Sequence, residues 1–200
     1  MWQFKIITCL LFTIRNTLIY HNLSIKTDMP IKNKVSIIPL DTTHVDSIYK
    51  HLNNEKLVET YPVSLPYSKE DANMYVENEI IKRKAGIRYS FAIYFNNQFA
   101  GVCALYNVDK YKRQAGLYYW VVVDLWNKGI ASLAVKQIID FAHKTLQLKK
   151  IVTGVLKRNY ASIKVLQKNE FITTSIAYNS SSYHYKFANE DVLEMVLELL

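Results

Sequence analysis

Residues 126–131, Trp-Asn-Lys-Gly-Ile-Ala, place a lysine and a glycine between an apolar run that ends at Val123 and a long amphipathic segment. A strand, a glycine turn and a helix start in that order can hold an anion. The first turn of a helix leaves about four N–H groups without intrahelical partners, and the helix dipole adds a partial positive charge there. Gly129 lets the backbone come close, Lys128 adds a full charge, and main-chain donors at Ile130, Ala131 and Ser132 suffice for a pyrophosphate. The same hexapeptide also fits an ordinary strand-to-helix turn. Downstream, Asn159 and Ser162 bring an amide and a hydroxyl to the start of another helical segment. Tyr118 and Tyr119 bring phenols to the apolar run before the turn.

The elements that must position these groups follow from periodicity. Residues 117–123, rich in aromatic and β-branched side chains, predict a largely buried strand. From Lys128 to about Leu146, Ala131, Ala134, Val135, Ile138, Ala142 and Thr145 recur at helical spacing. Residues 149–156 predict another strand, and Asn159 caps a helix carrying Ser162, Val165 and Leu166. Upstream, residues 35–40 predict a first strand, and Thr42 or Thr43 caps a helix through about Leu52. Ser68 and Asp71 form a capping box for a helix through about Lys84. Residues 89–95 and 98–106 alternate around Asn96 and Asn97 as a hairpin. The end reads as a polar loop with Ser180, Ser181 and Ser182, then a strand from Asp191 to Leu199.

With the motifs in place, the chain resembles the GNAT acyl-CoA N-acyltransferases, most closely the Rim-type branch that acetylates α-amino groups of ribosomal proteins. The pyrophosphate loop of that family has the form Q/R-x-x-G-x-G/A, often W-G-K-G-Y-A in the Rim-type branch, against Trp126, Asn127, Lys128, Gly129, Ile130 and Ala131 here. Its second element, N-x-A-S-I-x-V-L-x-K-x-G-F, matches Asn159, Ala161, Ser162, Ile163, Val165, Leu166, Lys168 and Phe171. The resemblance spans residues 33–200, taken as one domain. It implies a mixed α/β fold with a mostly antiparallel sheet of about six to seven strands, splayed at the cofactor site and flanked by about four helices. Acetyl-CoA is the implied co-substrate, with no metal. Val121, Val122 and Val123, residues 126–132, Asn159 and Ser162 are the implied cofactor contacts, and Lys157, Arg158 and Lys164 are candidate phosphate partners.

Acyl transfer to an amine needs a base, an oxyanion donor and an acid. A main-chain N–H near Val122 or Val123 is the expected oxyanion donor, where the family's central strand bulges. Many relatives carry a tyrosine acid on the last helix where this chain has Leu166, whereas the Rim-type resemblance implies the serine, here Ser162, which with Tyr119 is the expected catalytic group. Rim-type relatives carry a glutamate on the central strand where Gly116 stands, and no neighbouring residue in sequence replaces it. The acceptor is then expected to be easy to deprotonate. An α-amine, at about 7.7 to 8.0, needs roughly 3.4 kcal/mol less than a lysine side chain at neutral pH. A peptide or protein N-terminus is the first reading, with a ribosomal protein as a possible partner. A polyamine or antibiotic acceptor and a catalytically weak acyl-CoA-binding module are the alternatives. Glu59, Tyr61 and Tyr67 fall in the family's acceptor region, and Glu170 replaces the glycine that precedes Phe171.

Composition sets the class. Half of the residues are hydrophobic and 21% charged, which suits one buried core, and a net charge of +8 suits an anionic co-substrate without requiring nucleic acid. Cys9 and Cys103 match no metal or redox spacing, so a reducing, cytoplasmic setting is expected, as a monomer or homodimer. The apolar run Ile6 to Ile14 falls far short of the roughly 20 residues that span a bilayer. Residues 1–28 are read as an extension of uncertain status, with a weak signal peptide or a start at Met29 as alternatives.

Overall fold

The computed structural model describes residues 34–180 and 185–199, all within the unit that spans Asn33–Leu200. The extension, Cys9, Met29, Ser181 and Ser182 lie outside the described residues.

The first elements are β1 (Val35–Pro39), a 3-10 turn (Thr42–His44), α1 (Val45–Leu52), a one-turn α2 (Glu55–Val58) and α3 (Lys69–Lys84). Then come β2 (Arg88–Phe95), β3 (Gln98–Asp109), β4 (Gln114–Val121), α4 (Ile130–Lys144), β5 (Lys150–Leu156), α5 (Tyr160–Lys168), β6 (Ile172–Ser180) and β7 (Glu190–Glu198). Seven strands form one sheet in the order β1-β2-β3-β4-β5-β7-β6, antiparallel except where β4 meets β5. This is the expected mixed sheet, with five α-helices among the described residues where about four were expected.

Local chemistry explains most boundaries. Asn96 and Asn97 both take positive φ, 49° and 64°, as a two-residue hairpin turn demands. Ser68 and Asp71 close the capping box on α3. The first helical segment is capped by Asp41, whose carboxylate accepts from the Thr43 N–H (2.9 Å), and not by Thr42 or Thr43. The central strand starts at Gln114 and ends at Val121, because Val123–Leu125 turns into a 3-10 helix. Residues 172–180, where the pattern predicts no strand and puts Ser180 in a polar loop, form β6 at the sheet edge.

Two layers of helix cover the sheet. Val45, Ile48 and Leu52 of α1 and Ala72 and Val76 of α3 share a core with Val102, Trp120 and Val122. On the opposite face α4 packs on β1, β3 and β4. Gln137 of α4 locks that packing, donating to the Val35 carbonyl (3.0 Å) and accepting from the Ile37 N–H (3.2 Å). Cys103 is buried in β3, and burial pushes its thiol well above the usual range, so it serves as a small core residue.

The C-terminus of α5 holds a left-handed residue. The Phe171 N–H donates to the Leu166 carbonyl (3.1 Å) and the Glu170 N–H to Gln167 (3.0 Å). Buried Leu166 and Phe171 complete this Schellman closure. Glu170 supplies the left-handed position at φ 68°, where a side chain is strained. Glu170→Gly is therefore expected to raise unfolding free energy by about 0.5–1 kcal/mol, measured by urea denaturation, without changing acetyl-CoA binding.

Candidate active site

The site begins where the sheet splits. β4 pairs with β5 over only three residues, Gln114 to Gly116 against Lys150 to Val152. β5 then follows β7, while β4 stays paired to β3 as far as Val121. Buried Thr153 sits just past the split and donates its hydroxyl to the Leu117 carbonyl (2.9 Å), bridging the strands where main-chain pairing stops. From there to Val121 one edge of β4 faces a gap.

Strand alternation decides which groups face it. The Val122 N–H donates to the Ala100 carbonyl at 2.8 Å. Even-numbered residues of β4 therefore turn their main-chain groups toward β3, and odd ones, including Tyr119 and Val121, turn theirs toward the gap. Val122 is thus spent on β3 and cannot be the expected oxyanion donor, and Val123 has already left the strand. The Val121 N–H takes that orientation instead. Its carbonyl is held by the Trp126 indole N–H (2.7 Å), which pins the turn to the end of β4.

The turn itself ends in an open helix start. Asn127 (φ 61°) and Gly129 (φ 75°) are both left-handed, and a Cβ on Gly129 would meet nothing within 4 Å. No side chain caps α4. Its ladder begins with the Leu133 N–H on the Gly129 carbonyl (3.2 Å), which leaves the N–H groups of Ile130, Ala131 and Ser132 outside the ladder. Lys128 is exposed beside them. At the far side of this cradle Asn169, the C-cap of α5, donates to the Ser132 carbonyl (3.2 Å), fixing α5 against α4.

That docking brings the predicted catalytic pair together. Asn159 caps α5 through its side-chain oxygen on the Ser162 N–H (3.1 Å). The Ser162 hydroxyl lies 2.7 Å from the Tyr119 hydroxyl, which also donates to the Ser162 carbonyl (3.3 Å). Leu166 is core, so the phenol missing at that position of α5 is supplied beside Ser162 from β4. Lys157 and Arg158, expected as phosphate partners, are paired with carboxylates instead. Lys157 pairs with Asp191 (3.1 Å), and Arg158 holds Glu190 (2.5 Å) and the Glu59 carbonyl (2.8 Å). Lys164 is exposed.

The other face of β4 carries a cluster that sequence reading missed. Glu79 of α3, 2% exposed, accepts from Arg88 Nη1 (2.7 Å) and from the Ser90 hydroxyl. Tyr75 and Tyr118 join their hydroxyls at 2.9 Å. Burial holds the phenols of Tyr61, Tyr75 and Tyr118 above their usual range, so they remain protonated donors. A carboxylate does approach β4, therefore, but from α3 and already neutralised. The spacing Glu79 to Arg88 carried no signal for this, because it crosses a helix end and a turn.

A sheet that splits beside an uncapped helix start, with hydroxyls at the fork, defines the acyl-CoA N-acyltransferase class. Residues 34–172 match the acetyltransferase (GNAT) domain, and the chain belongs to this family. The uncharacterized N-acetyltransferase p20 of Bacillus licheniformis is 31% identical over 84 residues, 42% of this chain. The match spans 47% of that relative's length. Among solved structures, the Salmonella typhimurium acetyl transferase that modifies the N-terminal serine of ribosomal protein L7/L12 superposes with a TM-score of 0.75. It is 19% identical, and the alignment covers 86% of this chain and 98% of that one. A Vibrio cholerae spermidine N-acetyltransferase in complex with CoA and spermine gives 0.71 at 15% identity, over 82% and 95% of the two chains. Among the described residues no helix is long and apolar enough to cross a membrane, and no cluster of three metal-ligating side chains occurs.

Proposed function

We propose that this protein transfers the acetyl group of acetyl-CoA to a primary amine, with a peptide α-amine as the preferred acceptor. The observation that carries this reading is the fork: an open helix start at one end of the gap beside β4, and the Tyr119–Ser162 hydroxyl pair along it. Pyrophosphate oxygens would take the main-chain donors of Ile130, Ala131 and Ser132, with Trp126, Asn127, Lys128 and Gly129 shaping the turn. The pantetheine arm would run along Val121 and Tyr119 in place of the missing β5 edge, with Asn159 beside it.

The neutral amine attacks the thioester carbonyl, a C–N bond forms, and charge develops on the carbonyl oxygen toward the Val121 N–H. Collapse breaks the C–S bond, and the Tyr119–Ser162 pair donates a proton to the departing sulfur. The amine's proton leaves to water. The α-amine preference rests on the carboxylates. Glu79 is committed to Arg88 and Ser90, and Glu190 to Arg158, so neither is placed to strip a proton from a lysine-like amine or to gather a polycation.

Thiol release from acetyl-CoA, run against N-terminal peptides, polyamines and aminoglycosides, tests this. Turnover is expected with peptides. Ser162→Ala and Tyr119→Phe should each lower kcat by about 10²-fold while acetyl-CoA binding holds. Turnover confined to polyamines or aminoglycosides would overturn the acceptor assignment. Tight coenzyme A binding without turnover on any acceptor would mark a binding module.

A further inference from the structure

The closed end of the fork carries a feature that acyl transfer does not itself require. Tyr106 of β3 is paired directly with Gly116 of β4, the last β4 residue that pairs with β5. Directly paired residues share a face of the sheet. A Cβ on Gly116 would come up against Tyr106 Cζ, well within van der Waals contact, so the ring occupies the volume a side chain at 116 would fill.

The ring is also braced. The Arg88 guanidinium lies 5.9 Å from its centroid and 5.9 Å from that of Tyr118, and the two rings are 6.0 Å apart. Buried Glu79 anchors Arg88 from behind at 2.7 Å. Tyr118 is in turn tied to Tyr75 on α3. Tyr106, Gly116 and Tyr118 are only partly buried, so this wall keeps an accessible part. Tyr118 connects this wall to Tyr119, its neighbour on β4, so the wall lies on the same strand as the hydroxyl pair.

We propose that Tyr106, seated on Gly116 and braced by Arg88, is the wall that sets the size of the substituent an acceptor can carry beside its amine. This rests on the acyl-transfer reading above. The ring closes the floor of the acceptor side where a larger group would otherwise extend, and its contribution is bulk, so the hydroxyl is dispensable. The wall selects acceptors with small groups next to the nitrogen.

The test compares wild type with Tyr106→Ala, Tyr106→Phe, Gly116→Ala and the Gly116→Ala/Tyr106→Ala double variant. Peptides beginning with glycine, leucine or phenylalanine serve as acceptors. Turnover is read together with calorimetric binding of the same peptides to the coenzyme A-loaded protein. Tyr106→Ala should raise the kcat/KM ratio of leucine- or phenylalanine-initiated to glycine-initiated peptides at least tenfold, with KM for acetyl-CoA unchanged. Tyr106→Phe should match wild type. Gly116→Ala, which drives the ring into the acceptor space, should weaken every peptide, and the double variant should recover most of that loss. A size profile that moves less than twofold in Tyr106→Ala, in folded protein that still binds coenzyme A, overturns the proposal. Absence of turnover with a shifted binding profile would sink the transfer reading and keep the wall. Absence of both turnover and peptide binding in every variant would sink the two together.

Discussion

Ala131→Asp is expected to weaken acetyl-CoA binding by about tenfold while leaving the melting temperature unchanged or higher. The opposing signs come from one place. Ala131 is the second residue of α4, where the N–H groups of Ile130, Ala131 and Ser132 stand outside the ladder and no side chain caps the helix. A carboxylate there relieves that deficit and meets the positive end of the dipole, a gain of about 0.3–1 kcal/mol. The same carboxylate confronts the pyrophosphate. Two unit charges 5 Å apart repel by about 3 kcal/mol at an effective dielectric of 20, and screening at this exposed turn leaves roughly half of that or less. Ala131→Asn separates charge from shape, and it should cost far less affinity than the aspartate. The loss should also shrink as salt rises. Isothermal titration with acetyl-CoA beside thermal melts checks both halves. Equal affinity for the aspartate variant and wild type would mean that α4 does not hold the phosphates.

How much of this was legible in the sequence follows from range. The cradle and the cap of α5 were legible because their causes are local: Gly129 in a turn, and Asn159 three residues before Ser162. The contact between Tyr119 and Ser162 spans 43 residues and depends on how α5 docks, so the sequence could nominate both residues but not their 2.7 Å approach. The main-chain N–H that faces the gap belongs to Val121 and not to Val122 for a related reason. Which edge of β4 faces the gap depends on its register with β3, and one residue of register exchanges the edges. β6 escaped notice because residues 172–179 are exposed, with Thr and Ser among them and no alternation to read. That strand exists through main-chain pairing with β7, which composition does not announce. Lys157 and Arg158 looked like phosphate partners because charge is visible in a sequence and its partner is not. Glu190 and Asp191 lie more than thirty residues away and claim both.

Arg88→Met is expected to be the most damaging single substitution outside the hydrophobic core, costing about 3–5 kcal/mol of unfolding free energy. The reason is the asymmetry of the pair. Glu79 is 2% exposed and Arg88 22%, so removing the arginine strands a carboxylate that cannot reach water, with only the Ser90 hydroxyl left to solvate it. Glu79→Gln leaves a guanidinium that can turn toward solvent, and should cost visibly less. Replacing both, as Glu79→Gln/Arg88→Met, removes the stranded charge and should recover most of the loss, because a buried pair owes little net stability to its own attraction. Denaturant unfolding of the three variants measures this cycle directly. A loss below about 1 kcal/mol for Arg88→Met would show that Glu79 reaches water or another cation in solution. The double variant has a second use. Arg88 braces Tyr106 and Tyr118 from 5.9 Å, so a protein restored in stability but lacking the guanidinium should still be altered at the acceptor wall. It should bind acetyl-CoA as wild type does and show a raised kcat/KM ratio of leucine- to glycine-initiated peptides, as a loosened wall requires. Stability and acceptor recognition would then separate in one protein, because the pair that carries a folding penalty on α3 and β2 also holds the rings beside the fork.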